Sequence, residues 1–188
     1  ATYVSFDLET TGFSVIHDGI TEFGAVKIKN GEVIDRLQSF VNPGKKIGTR
    51  VSQLTNITNE MVADAPTIKE FLPQILEFFG DAILVAHNAK FDIGFLNESL
   101  KRLNQKPITN PVIDSLALAR AIMKPMKSYR LGNVCRVYRV NYDDDVAHRA
   151  DYDAEVLGAV FTTMLHSIMQ SGNYNFCLLY TSPSPRDT

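Results

Sequence analysis

The sequence predicts an α/β domain. Its sheet is mixed and five-stranded, an antiparallel three-strand meander followed by parallel strands, with helices packed on it. Three observations carry the prediction. Apolar runs over 22–28 and 32–41 are joined by Lys29-Asn30-Gly31-Glu32, and Asn-Gly between two such runs is a strong hairpin signal. From residue 67 onward apolar residues recur at helical spacing instead. Short apolar runs over 82–86 and 111–114 then alternate with helical segments, as in parallel strands joined by crossovers. A chain of 188 residues is long enough to enclose one sizeable core.

The first strand is expected over residues 3–8, Tyr-Val-Ser-Phe-Asp-Leu. Ile68, Phe71, Leu72, Ile75, Leu76 and Phe79 form the first helical stripe. Thr67 with Glu70 makes a capping box for it, and Gly80 a stop. Pro73 should kink that helix. Asn88 is expected to cap a helix reaching about residue 104. Further helices are expected near 115–123 and 130–139, and a last one over about 151–169. The domain therefore spans residues 1–170. Residues 171–188 carry no periodicity and are expected to form a disordered tail, either translated adaptor or vector sequence or a linker to a following domain. The opening on Ala1 rather than Met suggests a trimmed chain or an excised piece of a longer one.

Composition narrows the class without revealing the chemistry. The 45% hydrophobic and 21% charged content is that of a globular domain, and no apolar run reaches the roughly 20 residues that span a bilayer, so no membrane is expected. Strand-like sequence starts at once, with no signal-peptide pattern. Cys135 and Cys177 have neither metal-ligand spacing nor a disulfide framework, which suits a cytoplasmic location. A net charge of −2 does not advertise a nucleic-acid binder.

The chemistry lies in four carboxylates. Side chains alternate along a strand, so Asp7 and Glu9 point to one side of the first strand and its end. Asp92 falls on the apolar stripe of its helix with Phe95, Leu96, Leu100 and Leu103. Asp153 does the same with Val156, Leu157, Val160, Phe161 and Met164. Either helical Asp alone could simply cap its helix or favour the dipole. Both together, beside Asp7 and Glu9, point to divalent cations with oxygen ligands, since burying bare carboxylates is costly. Two such ions about 3.5–4 Å apart can activate a water and stabilise a leaving oxygen in phosphodiester cleavage. His148, five residues before Asp153, is a candidate base, because histidine titrates near neutral pH. Taken alone, it would be read as a surface polar residue.

Together the motifs resemble the DEDDh group of the DnaQ-like exonuclease superfamily. Asp7-Leu8-Glu9-Thr10-Thr11-Gly12 is similar to its first motif, His87-Asn88-Ala89-Lys90-Phe91-Asp92 to the second, and His148-Arg149-Ala150-Asp151-Tyr152-Asp153 to the third. The sister group would carry Tyr four residues before the last Asp, where Arg149 stands here. Within the superfamily, Leu54-Thr55-Asn56-Ile57-Thr58, Ile83–Asn88 and Asn110–Asp114 resemble the exonuclease domain of PolC-type DNA polymerase III.

The resemblance implies a ribonuclease H-like fold over residues 1–170, with Asp7, Glu9, Asp92 and Asp153 holding two Mg²⁺ or Mn²⁺ ions and His148 as general base. It implies Leu8, Thr10, Thr11, Phe13, Ile57, His87, Asn88 and Phe91 as substrate-binding residues, with Thr10 and Thr11 near the terminal 3′-OH. The expected function is a 3′-5′ exodeoxyribonuclease that releases nucleoside 5′-monophosphates and proofreads during DNA replication. Its partners would be a single-stranded or frayed DNA 3′ end and a DNA polymerase, in the same chain or as a separate subunit. An exoribonuclease of the same fold, or a non-catalytic module gripping a primer end or a polymerase, are the alternatives. Outside the motifs, six cations and no acidic residue lie between Asp114 and Asp143. They suit a phosphate backbone or a polymerase surface, or are merely a solvated face.

Overall fold

In the computed structural model, which describes residues 1–171 and the backbone of 180–181, the Asn30-Gly31 turn closes as the sequence requires. Both residues take positive φ, 53° and 79°, as a type I′ hairpin turn demands. The turn joins β2 (Ile20–Lys29) to β3 (Glu32–Phe40), and β2 also pairs antiparallel with β1 (Thr2–Thr10). On the other side of β1 lies β4 (Ile83–Ala86), parallel to it, and beyond that β5 (Val112–Asp114), parallel to β4. These are the five expected strands in the order β3-β2-β1-β4-β5. A sixth, β6 (Tyr180–Thr181), pairs antiparallel with β5 and falls within the segment expected to be a disordered tail. Ser171, the first residue of that tail, instead ends the last helix, and residues 172–179 and 182–188 lie outside the described residues.

Alternation along β1 assigns the two faces of the sheet. Val4, Phe6 and Leu8 point into a core capped by α3 (Ile68–Phe79) and α4 (Ala89–Arg102). The opposite core holds α5 (Ser115–Ile122), α6 (Leu131–Val137) and the long α7 (Ala150–Ser171). Tyr3 and Ser5 face α7: Tyr3 meets the edge of Phe161, and Ser5 Oγ donates to Ala154 O at 2.7 Å. Close docking of α7 depends on Gly24 of β2, where a Cβ would collide with the backbone of Ala150 and Asp151. Asp7 and Glu9, two and four residues beyond Ser5, thus emerge beside the start of α7.

The capping box at α3 forms as expected, Thr67 Oγ1 accepting from Glu70 N. The helix runs through Pro73 as one element. Pro73 and Lys69, whose carbonyl lacks the N–H at position 73, are both exposed near the start of the helix. Two helices were not foreseen, α1 (Thr49–Thr55) and α2 (Asn59–Ala63), which enclose a small third core of Ile47, Ile57 and Val62. With seven and five residues they are too short to show a helical period. No helix among the described residues is long and apolar enough to cross a membrane.

Candidate active site

The parallel strands β1, β4 and β5 end at one edge of the sheet, the usual place for a ligand site in such folds. Beside Glu9 the β1–β2 ladder carries a bulge: Glu9 pairs with Glu22 but Thr10 pairs with Ile20, leaving Thr21 extra. Asp92 sits in the first turn of α4 and is only 2% exposed. Asn88, expected to cap that helix, makes no capping bond with its side chain. It adopts the left-handed conformation (φ 68°), which asparagine tolerates, and its backbone N–H donates to Asp114 Oδ1 at 3.0 Å. The same Asp114 oxygen caps α5 through Leu116 N, so one carboxylate ties the ends of β4 and β5 together.

Asp153 lies in the first turn of α7 and is buried. Its Oδ2 accepts from His148 N at 3.2 Å, and its Oδ1 lies 3.4 Å from the Tyr142 hydroxyl, which donates to it. His148 is also left-handed (φ 70°) and stays exposed. Ligand atoms of Glu9, His148 and Asp153 lie within 4.8 Å of one another.

The electrostatics bind Asp7 and Asp92 to the same group. Burial raises the Asp7 pKa well above the carboxylate range, and repulsion from Asp92, Glu9 and Asp153 adds to it. Burial likewise raises Asp92, while the backbone N–H of Leu8 pulls both aspartates partway back. Glu9 is pushed up to about 9 by burial, then by Asp153, Glu22 and Asp92. Asp153 is pushed up to about 6, mainly by burial. Opposing this, Arg149 lowers Glu9, but its guanidinium also stacks over Phe40 and lies 3.9 Å from Glu22 Oε2. Four carboxylates crowded together with so little fixed positive charge are a donor set suited to hard divalent cations.

The structure places the expected substrate-binding residues unequally. Phe13 is 90% exposed, and its ring meets Phe91 at 6.2 Å between centroids, forming an aromatic lip beside the first turn of α4. Thr10 and Thr11 are nearly buried: Thr10 Oγ1 donates to Gly12 O, and Thr11 Oγ1 donates to Asp18 Oδ1. His87 bridges Ser115 Oγ (2.9 Å) and Tyr129 O (2.6 Å), and burial lowers its pKa. Leu8 belongs to the first core, and Ile57 is fully buried in the third, presenting no surface to a ligand.

Three polar residues of the site escaped the sequence reading. Glu22 is fully buried, accepting from Ala150 N and Gln38 Nε2, each at 2.8 Å. Tyr142 touches Asp153. Asp18 organises the loop after β1, accepting from Thr11 Oγ1, Ser14 N and Lys45 Nζ. It also explains Gly12, where a Cβ would strike the Asp18 carboxylate. The available signal was a lone Glu inside the apolar run of β2; Asp18 and Tyr142 carry none.

This chain belongs to the exonuclease family: the family model described as Exonuclease (RNase_T) matches residues 4–161, so the fold and the family define a nuclease. It is 43% identical over 171 residues to the PolC-type DNA polymerase III of Bacillus cereus, covering 91% of this chain and 12% of that protein. Identity to the Ureaplasma parvum protein of the same name is 49% over 170 residues, covering 89% of this chain and 12% of that one. The chain therefore spans about an eighth of the length of these relatives. Among solved structures, Exonuclease X in complex with 5′ overhanging duplex DNA superposes with TM-score 0.71 at 26% identity, covering 92% of this chain and 94% of that one.

Proposed function

We propose that this domain is a 3′-5′ exodeoxyribonuclease of the DEDDh type, proofreading in the cytoplasm as part of, or beside, a DNA polymerase III. The observation that carries it is the convergence of Asp7, Glu9, Asp92 and Asp153 with His148 at the carboxyl edge of the sheet. Similarity to PolC-type polymerases supports the polymerase setting. Asp7, Glu9, Asp92 and Asp153 would hold two Mg²⁺ or Mn²⁺ ions. When bound, such ions supply a polarised phosphate, an activated water and a stabilised leaving oxygen.

The chain's own residues do the rest. His148, exposed and against Glu9 and Asp153, takes the proton of the attacking water. The water oxygen bonds to phosphorus and the bond to the 3′ oxygen of the preceding nucleotide breaks. A nucleoside 5′-monophosphate leaves, the freed 3′ oxygen takes a proton from solvent to become a new 3′-OH, and His148 returns its proton to solvent. The Phe13–Phe91 lip stacks on the terminal bases. Asn88, exposed beside it at the start of α4, borders the same terminus. A 5′-labelled single strand should shorten stepwise from its 3′ end with Mg²⁺ or Mn²⁺ and stay intact in EDTA, and Asp7→Ala or Asp153→Ala should remove most of the activity. Undiminished cleavage in chelator, or internal cuts, would overturn the proposal.

A further inference from the structure

The cationic segment between Asp114 and Asp143 is fastened at two points to the candidate site. Tyr129 O bonds His87 Nε2 at 2.6 Å, just after β4, and the Tyr142 hydroxyl reaches Asp153. His87 also approaches Ser115 at the start of α5, so the residues from α5 to Tyr142 frame one flank of the carboxylate cluster. Arg120, Lys124, Lys127, Arg130, Arg136 and Arg139 are all exposed. Among the described residues only Arg136 of these six forms an ion pair, with Asp144 at 3.5 Å. A solvated face would ordinarily carry counter-charges close by; here five cations have no ion-pair partner among the described residues. The chain's net charge is −2, so this flank concentrates a positive field that the rest of the surface lacks.

We propose that this flank, with Lys124, Lys127 and Arg130 nearest the Tyr129 anchor, is a track for the phosphates of a single strand upstream of its 3′ terminus. The inference rests on the exonuclease reading for the direction of the strand, but its binding does not require cleavage. Cations of this kind neutralise phosphates without reading bases, so the track is sequence-independent and salt-sensitive. An acidic protein surface would answer the same charge. Nucleic acid is favoured because the segment that carries the cations is fastened by Tyr129 to His87 and by Tyr142 to Asp153, on a flank of the site that takes the strand's terminus.

The test compares the chain with its Lys124→Glu/Lys127→Glu/Arg130→Glu variant. A Lys69→Glu/Lys101→Glu/Lys106→Glu variant, altered around α3 and α4 on the other face of the sheet, controls for net charge. Fluorescence anisotropy in EDTA measures binding of oligothymidylates of about 3 and about 16 nucleotides. The track variant should bind the longer strand at least about tenfold more weakly, with a salt slope shallower by about 0.7 for each phosphate it no longer neutralises. Cleavage of the short strand, supplied with Mg²⁺, should be unchanged. Unaltered affinity and slope for the longer strand would overturn the proposal. So would an equal weakening on both lengths, which would place the effect in the active site. Polyglutamate that binds the parent as tightly as the longer strand does, and that the variant binds no better than it binds that strand, would overturn it in favour of an acidic protein. Tight, slope-sensitive binding without any shortening would uphold the track and sink the exonuclease reading instead.

Discussion

Glu9 and Glu22 stand directly opposite each other across the β1–β2 ladder, an arrangement that two like charges ordinarily disfavour. Their environments separate them. Glu9 opens onto the carboxylate cluster, whereas Glu22 is sealed behind it by Ala150 N, Gln38 and Arg149. Ala150 is the first residue of α7, so Glu22 seats the helix that carries Asp153, and Gly24 on the same strand leaves room for it.

Removing Glu22 should therefore loosen the site from behind. Glu22→Ala leaves the Ala150 N–H and the Gln38 amide without their acceptor, at a cost of about 1–3 kcal/mol. Glu22→Gln keeps an acceptor for Ala150 and should lose less. Denaturant titrations at constant m-value read the difference. Equal stability of Glu22→Ala and the parent would show that α7 is seated by Gly24 packing alone.

His148 owes its position to a left-handed backbone and to its N–H bond with Asp153. The ring itself is exposed and makes no hydrogen bond among the described residues, so His148→Ala should leave the fold intact. Turnover should fall about 10²–10⁴-fold with the metal affinity retained. Normal turnover in the variant would leave the proton of the attacking water to another acceptor.

The four carboxylates stood out in the sequence because each breaks an apolar period at a point where the fold has no structural use for it. Asp92 and Asp153 lie on buried helical stripes, and Asp7 and Glu9 end a strand whose other face is all core. Glu22 was not legible, since one glutamate in a strand suits an exposed position; only the register reveals that it faces Glu9. Asn88 looked like a cap because asparagine is a good one, but its left-handed backbone instead turns its N–H to Asp114. Ile57 is placed by α1 and α2, whose brevity hid them, and so its burial in the third core was out of reach.

Crowded carboxylates also make the metal-free protein sensitive to alkali. Asp7, Glu9, Asp92 and Asp153 all have folded pKa values above their unfolded ones. Their contribution is complete below the unfolded values and is lost as pH rises through the folded ones, about 6 for Asp153 and about 9 for Glu9. His87, lowered by burial, instead loses stability on the acid side, so the clean window lies above neutrality. In EDTA the Tm should fall between about pH 7 and about pH 9.5, and Mn²⁺ should recover more of it at the alkaline end. The buried Cys135 thiol, pushed up to about 11, adds an alkaline loss common to both arms, so the difference between them is the measurement. A metal-induced rise in Tm that does not grow with pH would show that the cluster is not what binds the ion.

The proposed proofreading role depends on how a primer end reaches the Phe13–Phe91 lip. A paired terminus must fray before its last base can stack there, and unpairing costs a few kcal/mol, least where the pair is already mismatched. Discrimination then needs no group that recognises the wrong base. It follows from the difference in fraying alone, and Phe13, 90% exposed, is available to catch the freed base. A 5′-labelled primer annealed with a matched or a mismatched 3′ terminus should be shortened faster when mismatched, and a free single strand fastest of all. Phe13→Ala should slow all three, by about 1–3 kcal/mol in kcat/KM if the ring carries one stacked base. Equal rates on matched and mismatched termini would leave a 3′-5′ exonuclease whose task is not proofreading.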